Sequence, residues 1–457
     1  AGYMSGTNNW NGGTNTQIYA LNGTDWCNVP FSESFTNVMP AWLQLKYAHA
    51  NGLLSDDIFA VANILKVMSL HRVSDIYGPL PVLHFGETEN PYNSQEECYM
   101  HFFETLDSAI AVLKDVVENN PDAKPLEEVD ALYHGDYSKW LKLANSVKLR
   151  LAMRICYVKP DLAKQYAMEA VRDGVMETAD DSALFQSWGS ITIINPLEKI
   201  WNGYSDTRMG ASMDSYLNGY NDPRLPVYFQ PVTEGDNKGE YRGVANGMPN
   251  PQQEDYKAMS APNVQEKSTD SPLRWMMASE VAFLCAEGAM RGWTAEMGGT
   301  AEEFYNKGIE LSFLENGLSA DAAARYAADE TSKPPDFTDV SAANTKYNIS
   351  ALGKIAIKWN AGASEEEQLE RIITQKWIAM FPNGTEAWSE FRRTGYPRLF
   401  PVRYNYPSSG VDTNKQIRRM VFPQSEYSNN GAAVQEAVKL LGGPDNGGTK
   451  LWWDKKN

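Results

Sequence analysis

A helical pattern is clearest in residues 137–174, which read YSKWLKLANSVKLRLAMRICYVKPDLAKQYAMEAVRDG. Apolar and small side chains recur there at the spacing of one helix face, at Tyr137, Trp140, Ala144, Val147 and Leu151. Pro160 is expected to stop this helix, because proline lacks the amide hydrogen that a helix interior needs. A second stripe follows at Leu162, Tyr166, Ala170 and Val171, and Gly174 is placed to cap its end. The segment 138–173 therefore predicts a pair of helices.

The same spacing predicts three more helix pairs, near 55–118, 276–316 and 364–393. In the first of them, residues 55–73 are apolar nearly all round, which predicts a deeply buried helix. Ser94 and Glu97 stand three residues apart before a long apolar stripe, which is the spacing of a capping box at a helix start. Helix pairs of this size suggest tetratricopeptide-like units, whose period is about 34 residues.

Long segments without helical periodicity separate the pairs, at 175–270, 318–363 and 395–457. We therefore predict a mostly α fold, with a scaffold of tetratricopeptide-like helix pairs, loop-rich inserts and few short strands, in one domain over residues 1–457. Structureless segments of this length in a compact domain are usually functional. The inserts are therefore the first place to search for a site.

The formal net charge of −17 argues against two classes of partner, nucleic acids and anionic membrane surfaces. Nucleic-acid phosphates and anionic membrane surfaces both call for an excess of Lys and Arg. The sequence contains no run of 18 or more apolar residues, so we predict no membrane-spanning helix. The chain opens with Ala1 and without Met or a signal peptide, as expected of a mature or trimmed sequence.

Motifs of catalysis and cofactor binding are missing from the sequence. We find no phosphate-binding glycine loop, no GxSxG elbow, no HExxH and no CxxC. Asp206 and Asp214 are conceivable members of a carboxylate pair for glycoside hydrolysis, although ordinary solvated or capping carboxylates are the simpler interpretation. We predict no catalytic residue, no metal site and no cofactor.

Aromatic side chains are abundant in the segment 175–270, which we call the aromatic insert. It holds Phe185, Trp188, Trp201, Tyr204, Tyr216, Tyr220, Tyr228, Phe229, Tyr241 and Tyr256. Aromatic faces bind apolar surfaces, including the C–H faces of sugar rings, and Tyr and Trp add a hydrogen-bonding group. The alternative is that these rings fasten loops to the helical body. Our candidate ligand-binding residues are Trp188, Trp201, Tyr204 and, outside the insert, Tyr77.

Five segments, in order along the chain, resemble the SusD/RagB family of Bacteroidota outer-membrane lipoproteins. They are RVSDIYGPLPV at 72–82, DYSKWLKLANSVKLRLA at 136–152, NDPRL at 221–225, RWMMASEVAFLCAEG at 274–288, and ITQKWIAMF with EAWSEFRR within 373–393. Each motif is weak by itself, but five in the expected order are a strong sign. These segments also have structural interpretations, since Asp222 and Arg224 suit an ion-paired turn and Arg150 and Arg392 suit ties between helices.

The sequence departs from the family pattern in two places. The lipid-carrying cysteine expected near the mature N-terminus is absent, as in a trimmed sequence. The family's usual motif of acidic and basic residues is replaced by QKWIAMFPNG at 375–384, which places the chain nearer a divergent branch of the family.

The resemblance implies a receptor at the cell surface of a Gram-negative bacterium. Such a protein is lipid-anchored in the outer membrane, touches the membrane only through that anchor, and acts as a lid over a SusC-like TonB-dependent transporter. It captures oligosaccharide, or peptide in the RagB case. Our leading hypothesis is a glycan-binding protein without catalysis that meets its ligand at the aromatic insert. A peptide receptor, a helical glycoside hydrolase and a pure protein-binding scaffold are the alternatives.

Overall fold

The computed structural model describes residues 2–6, 18–21, 27–205, 207–248, 253–264 and 271–456. Helices dominate these residues, which confirms the predicted mostly α class with few short strands. The α-helices are α1 Val29–Glu33, α2 Met39–Ala50, α3 Asp56–Tyr77, α4 Gln95–Asn119, α5 Tyr137–Arg154, α6 Pro160–Asp173, α7 Pro196–Glu198, α8 Ala211–Gly219, α9 Leu225–Tyr228, α10 Gln253–Tyr256, α11 Ala278–Gly288, α12 Thr294–Met297, α13 Ala301–Leu314, α14 Ala320–Ala327, α15 Glu365–Ala379, α16 Gly384–Thr394 and α17 Gln424–Leu441. The strands are β1 Met4–Gly6, β2 Ala183–Phe185, β3 Thr207–Met209 and β4 Leu273–Met276.

The chain forms two compact units, each made of two stretches of sequence. We call Leu21–Met176 with Pro407–Asn457 the helical unit, and Ala1–Ala20 with Glu177–Tyr406 the insert unit. The single domain over residues 1–457 stays a prediction. No helix in the described part of the chain has the length and apolarity needed to cross a membrane.

The helical unit is a stack of neighbouring helices in which α3 packs on α4, α4 on α5 and α5 on α6. Burial covers most of α3 from Ala60 to Tyr77, as its all-round apolar sequence predicts. The ring of Phe103 in α4 stacks on Tyr166 in α6 with centroids 4.0 Å apart. Such packing of apolar helix faces supplies most of the stability of helices in proteins.

Caps fix where these helices begin and end. The Ser94 hydroxyl accepts from the Glu97 amide at 3.2 Å, and the Glu97 carboxylate accepts from the Ser94 amide at 2.7 Å, so the predicted capping box is present. Gly174 follows α6 with a positive φ of 99°, as a C-terminal glycine cap requires. The prediction for Pro160 was only partly right, because α5 already ends at Arg154 and Pro160 instead begins α6.

The insert unit is centred on α11, α13 and α15, which match the predicted pairs near 276–316 and 364–393. Its core buries Phe283, Ile309 and Trp377. The Asp222–Arg224 turn lies inside this core, where the two side chains form a fully buried ion pair at 2.7 Å, as the sequence predicted. Gly317 follows α13 with a positive φ of 72° and closes that helix pair.

The inserts contain more helix than the sequence predicted. The segment 395–457 was predicted to be loop-rich, but it includes the 18-residue helix α17. That helix buries only Val434 and Ala437 and is interrupted at Asn430, where φ and ψ are −145° and 40°. Its apolar stripe is therefore too short and too broken to be recognised by periodicity.

Candidate functional site

The beginning of the aromatic insert is built on two short antiparallel ladders. Strand β2 pairs with β4, with Ala183 opposite Met276 and Phe185 opposite Leu273. Strand β3 pairs with β1, with Met209 opposite Met4. The segment 186–206 connects β2 to β3, and it carries three of the four candidate residues.

Five aromatic side chains of the insert belong to the core, so these rings hold loops in place and do not face a ligand. They are Tyr216, Tyr220, Tyr228, Phe229 and Tyr256, and each is at most 4% exposed. Several of their hydroxyls bind within the protein; the Tyr220 hydroxyl, for example, donates to the Ile355 carbonyl at 3.1 Å. A buried ring whose hydroxyl is already hydrogen-bonded within the protein offers no surface to a ligand.

Trp188 is the candidate side chain with the greatest exposure, at 36% of its surface. It stands at the start of a tight hairpin in which the Trp188 amide donates to the Ile191 carbonyl at 3.0 Å and the Ile191 amide donates back at 2.8 Å. The intervening Gly189 has a φ of 56°, which glycine adopts without strain. The Ser187 hydroxyl accepts from the Ile193 amide at 3.0 Å and ties down the base of the hairpin. The hairpin therefore presents an indole from a braced backbone.

Trp201 and Tyr204 lie together in the helical turn Lys199–Tyr204, and both are half-buried. The turn ends at Ser205, which adopts the left-handed region with a φ of 52°. Arg208 on β3 is buried and donates to the carbonyls of Lys257 at 3.0 Å and Thr207 at 2.9 Å. Its guanidinium carbon lies 4.8 Å from the centre of the Trp201 ring, so the same side chain supports one face of that indole.

Trp275 is a residue that the sequence interpretation missed as a candidate. It lies on β4 and its ring stacks on Phe185 of β2, with centroids 4.6 Å apart and planes 15° apart. Both rings are half-buried. The sequence placed Trp275 at the start of a helix motif, and only the ladder with β2 brings it beside the aromatic insert. We call the set Phe185, Trp188, Trp201, Tyr204 and Trp275 the aromatic rim.

Two more exposed rings, Tyr404 and Tyr406, were also missed, and they are 40% and 45% exposed. The Tyr404 amide donates to the Gly247 carbonyl at 3.0 Å, which joins this segment to the aromatic insert. Their signal in the sequence is the aromatic doublet Tyr-Asn-Tyr in a loop with neighbouring prolines. Exposed tyrosines of this kind are additional surface for an amphipathic ligand.

Tyr77 is not available for ligand binding. Its ring is fully buried in the helical unit, where it packs edge-on against Phe31, and its hydroxyl donates to the Cys27 carbonyl. Burial raises the pKa of this phenol far above its ordinary value. We therefore omit Tyr77 from the aromatic rim.

The carboxylate pair considered for hydrolysis has one describable member, since Asp206 lies outside the described residues. Asp214 is buried in α8 and accepts hydrogen bonds from the Gly243 amide at 2.6 Å and the Asn218 amide group at 2.8 Å. Burial raises the pKa of Asp214, and those bonds only partly offset it. This carboxylate ties α8 to the loop at Gly243. Among the described residues, no group of three His, Cys, Asp or Glu side chains is arranged to hold a metal ion.

The family of the chain follows from comparison with known proteins. The family model described as SusD-like, SusD and RagB outer-membrane lipoprotein, matches residues 1–454. No curated protein sequence matches significantly.

Solved structures agree with the family model. A chitin-binding SusD homologue from Flavobacterium johnsoniae is 40% identical with a TM-score of 0.92, over 100% of this chain and 92% of the other. A SusD-like protein from Bacteroides thetaiotaomicron is 38% identical with a TM-score of 0.91, over 100% and 93%. A SusD homologue from Bacteroides uniformis is 39% identical with a TM-score of 0.89, over 100% and 93%. The chain is a member of the SusD-like family of SusD and RagB outer-membrane lipoproteins.

Proposed function

We propose that this protein is a non-enzymatic receptor that captures oligosaccharide at the cell surface through the aromatic rim. The observation that carries the proposal is the exposed indole of Trp188 on a braced hairpin, which follows three residues after Phe185 of the stacked pair Phe185–Trp275. Indole and phenyl faces bind the C–H faces of sugar rings, and their N–H and O–H groups orient the hydroxyls. Asp214, the describable member of the carboxylate pair considered for hydrolysis, has a structural role.

The ligand that we favour is a β-linked N-acetylglucosamine oligosaccharide of the chitin type. The support is the 40% identity over the whole chain to a structure described as a chitin-binding SusD homologue. The acetamide methyl adds apolar surface to each sugar, which suits a surface rich in rings. The acidic chain disfavours anionic glycans, because its net charge of −17 repels them.

Binding of this kind is weak, and the ligand dissociates quickly. Each stacked ring contributes about 0.5–1.5 kcal/mol. Three or four such contacts supply roughly 2–6 kcal/mol, and together with the apolar area that the ligand buries, less the cost of ordering it, they correspond to a Kd in the micromolar to millimolar range. Fast release suits a receptor that hands its ligand onward.

We further infer that the receptor delivers its ligand to a SusC-like TonB-dependent transporter and is held to the outer membrane by a lipid. Membership of a family of outer-membrane lipoproteins supports both inferences. Copurification of the native, lipidated protein with a TonB-dependent barrel from outer membranes would support delivery. Fractionation of the protein away from the outer membrane would contradict both inferences.

A glycan array with purified protein tests the ligand class. We expect N-acetylglucosamine oligosaccharides to bind and to be recovered intact after long incubation. Preferential binding of peptides would replace the proposal with a RagB-like peptide receptor. Shortening of the bound oligosaccharide would instead show a glycoside hydrolase.

A further inference from the structure

The helical unit contains a cleft of about 560 Å³ that the aromatic rim does not include. Small-molecule sites commonly have volumes of roughly 300–1,000 Å³. We call it the acidic cleft and define it by Phe31, Phe35, Glu89, Asn90, Glu426 and Asn430. All of these residues belong to the helical unit, so the cleft is independent of the proposed glycan site in the insert unit.

Irregular helices form two of its walls. Helix α1 passes into a π-helical turn at Ser34–Val38, and Phe35 lies in that turn. Helix α17 is interrupted at Asn430, which also lines the cleft. The π-helical turn at Ser34–Val38 is of a type that is rare and is frequently found at functional sites.

The apolar part of the cleft is a pair of phenyl rings. Phe31 and Phe35 lie with centroids 4.6 Å apart and planes inclined by 34°. Phe31 is buried, while Phe35 is half-buried and gives the cleft an accessible aromatic surface. Such a surface attracts the C–H groups of a sugar ring and also a cation above the ring.

The polar part of the cleft is formed by carboxylate and side-chain amide groups. Glu426 accepts from the Tyr92 hydroxyl at 2.8 Å, which fixes the direction of its carboxylate. Glu89 is exposed and makes no hydrogen bond or ion pair with any described residue. No lining residue in the described part of the chain is basic. Two carboxylates without a cation partner favour a ligand that brings its own positive charge.

Asn90 also lines the cleft and is fixed in place by the neighbouring backbone. Its amide nitrogen donates to the Pro81 carbonyl at 3.2 Å. Its Oδ1 is buried and meets no donor among the described residues. This oxygen has no accessible surface, so Asn90 shapes the wall of the cleft without offering its Oδ1 to a ligand.

We propose that the acidic cleft is a second binding site, for an amino sugar whose amine is protonated. Phe35 packs on the sugar ring, and Glu89 and Glu426 accept from the ammonium group. N-acetylated sugars lack the charge, and acidic sugars are repelled by the carboxylates. The cleft therefore binds amine-bearing glycans, whereas the aromatic rim is proposed to bind acetylated glycans.

The test is titration calorimetry of the whole chain with a glucosamine trimer at about pH 6, where an amine of this class is protonated. The double variant Glu89→Gln with Glu426→Gln keeps the size of both side chains and removes both charges. We expect it to weaken binding of the glucosamine trimer by about tenfold or more. Binding of the N-acetylglucosamine trimer by the same variant should be unchanged, which separates this proposal from the function of the aromatic rim.

Glu436→Gln is the matched control, because Glu436 lies exposed on the same helix and pairs with Lys439. Its affinity for the glucosamine trimer should equal that of the unmodified protein. The proposal is overturned if the unmodified protein does not bind the glucosamine trimer, or if the double variant binds it equally well. Tighter binding of a trilysine peptide than of the glucosamine trimer would overturn the assignment to a sugar.

Discussion

The guanidinium of Arg208 lies against the ring of Trp201, with its central carbon 4.8 Å from the ring centre. The same guanidinium donates to the carbonyls of Ser205 at 3.1 Å and Thr207 at 2.9 Å, and it is buried. One side chain thus fixes the loop backbone after the turn and one face of the indole. Preorganisation of this kind lowers the ordering cost that a ligand must otherwise meet.

Substitution of Arg208 by Lys is expected to loosen this loop. Lysine keeps the charge but lacks the planar fork that reaches several carbonyls at once. Denaturant unfolding should show a loss of about 2–4 kcal/mol in the free energy of unfolding. Arg172→Lys is the control, since the Arg172 side chain is 69% exposed and its replacement should leave the stability unchanged. Equal stability of the two variants would contradict the role assigned to Arg208.

Substitution of Trp188 by Ala tests the aromatic rim with little risk to the fold, because the indole is 36% exposed. We expect affinity for an N-acetylglucosamine oligosaccharide to fall about two- to tenfold, the equivalent of one lost stacking contact. The free energy of unfolding should fall by no more than about 2 kcal/mol, because the part of the indole that is buried loses its contacts. Tyr47→Ala removes an exposed ring from the helical unit and should leave affinity unchanged. An equal effect of both variants would remove Trp188 from the site.

The buried pair Glu287–Arg393, at 2.6 Å, predicts a pH dependence of stability in the insert unit. Burial raises the pKa of Glu287, but the Arg393 and Arg291 guanidiniums outweigh it and lower the pKa to about 2 from an ordinary 4.5. A folded-state pKa below the unfolded one stabilises the fold at pH values above about 4.5. That contribution is lost as the pH falls from about 4.5 towards 2.

Glu287→Gln isolates this contribution. At pH 7 the variant should lose about 3–5 kcal/mol in the free energy of unfolding, because Arg393 keeps its charge without this buried partner. The difference from the unmodified protein should narrow when urea unfolding is repeated near pH 3. Glu330→Gln is the control at an exposed pair, with a 69% exposed carboxylate. A difference that stays constant with pH would contradict the assignment.

The thiols of Cys98 and Cys285 are expected to resist alkylation in the folded protein. Both are buried, and burial raises the pKa of each to about 12, so the reactive thiolate is scarce. Mass spectrometry after treatment with iodoacetamide near pH 8 should find these two sites unmodified. The same treatment in concentrated guanidinium chloride should label both. Rapid labelling of the native protein would show that α4 or α11 opens readily.

The helix pairs could be predicted because their periodicity is local. The stripe from Tyr137 to Leu151 and the cap at Gly174 are both properties of consecutive residues, and the structure confirms them. Helix α17 could not be predicted in this way, since it buries only Val434 and Ala437 and is interrupted at Asn430. Its place depends on contacts with residues distant in sequence.

The candidate site was only partly predictable for the same reason. Trp188 could be selected because it stands among turn residues, and the structure leaves it exposed. Trp275 was missed because its stacking on Phe185 depends on the pairing of β2 with β4, which no local pattern reveals. Tyr77 was a candidate ligand-binding residue, but the structure buries it against Phe31 and bonds its hydroxyl to the Cys27 carbonyl, and no local pattern reveals these long-range contacts.

The central claim is that the aromatic rim captures N-acetylglucosamine oligosaccharides. The most direct measurement is titration calorimetry of one such oligosaccharide into the unmodified protein and into the Trp188→Ala, Trp201→Ala double variant. We predict binding with a Kd between about 1 μM and 1 mM, and a loss of about tenfold or more in the double variant. Absence of binding by the unmodified protein, or equal binding by the double variant, would contradict the account.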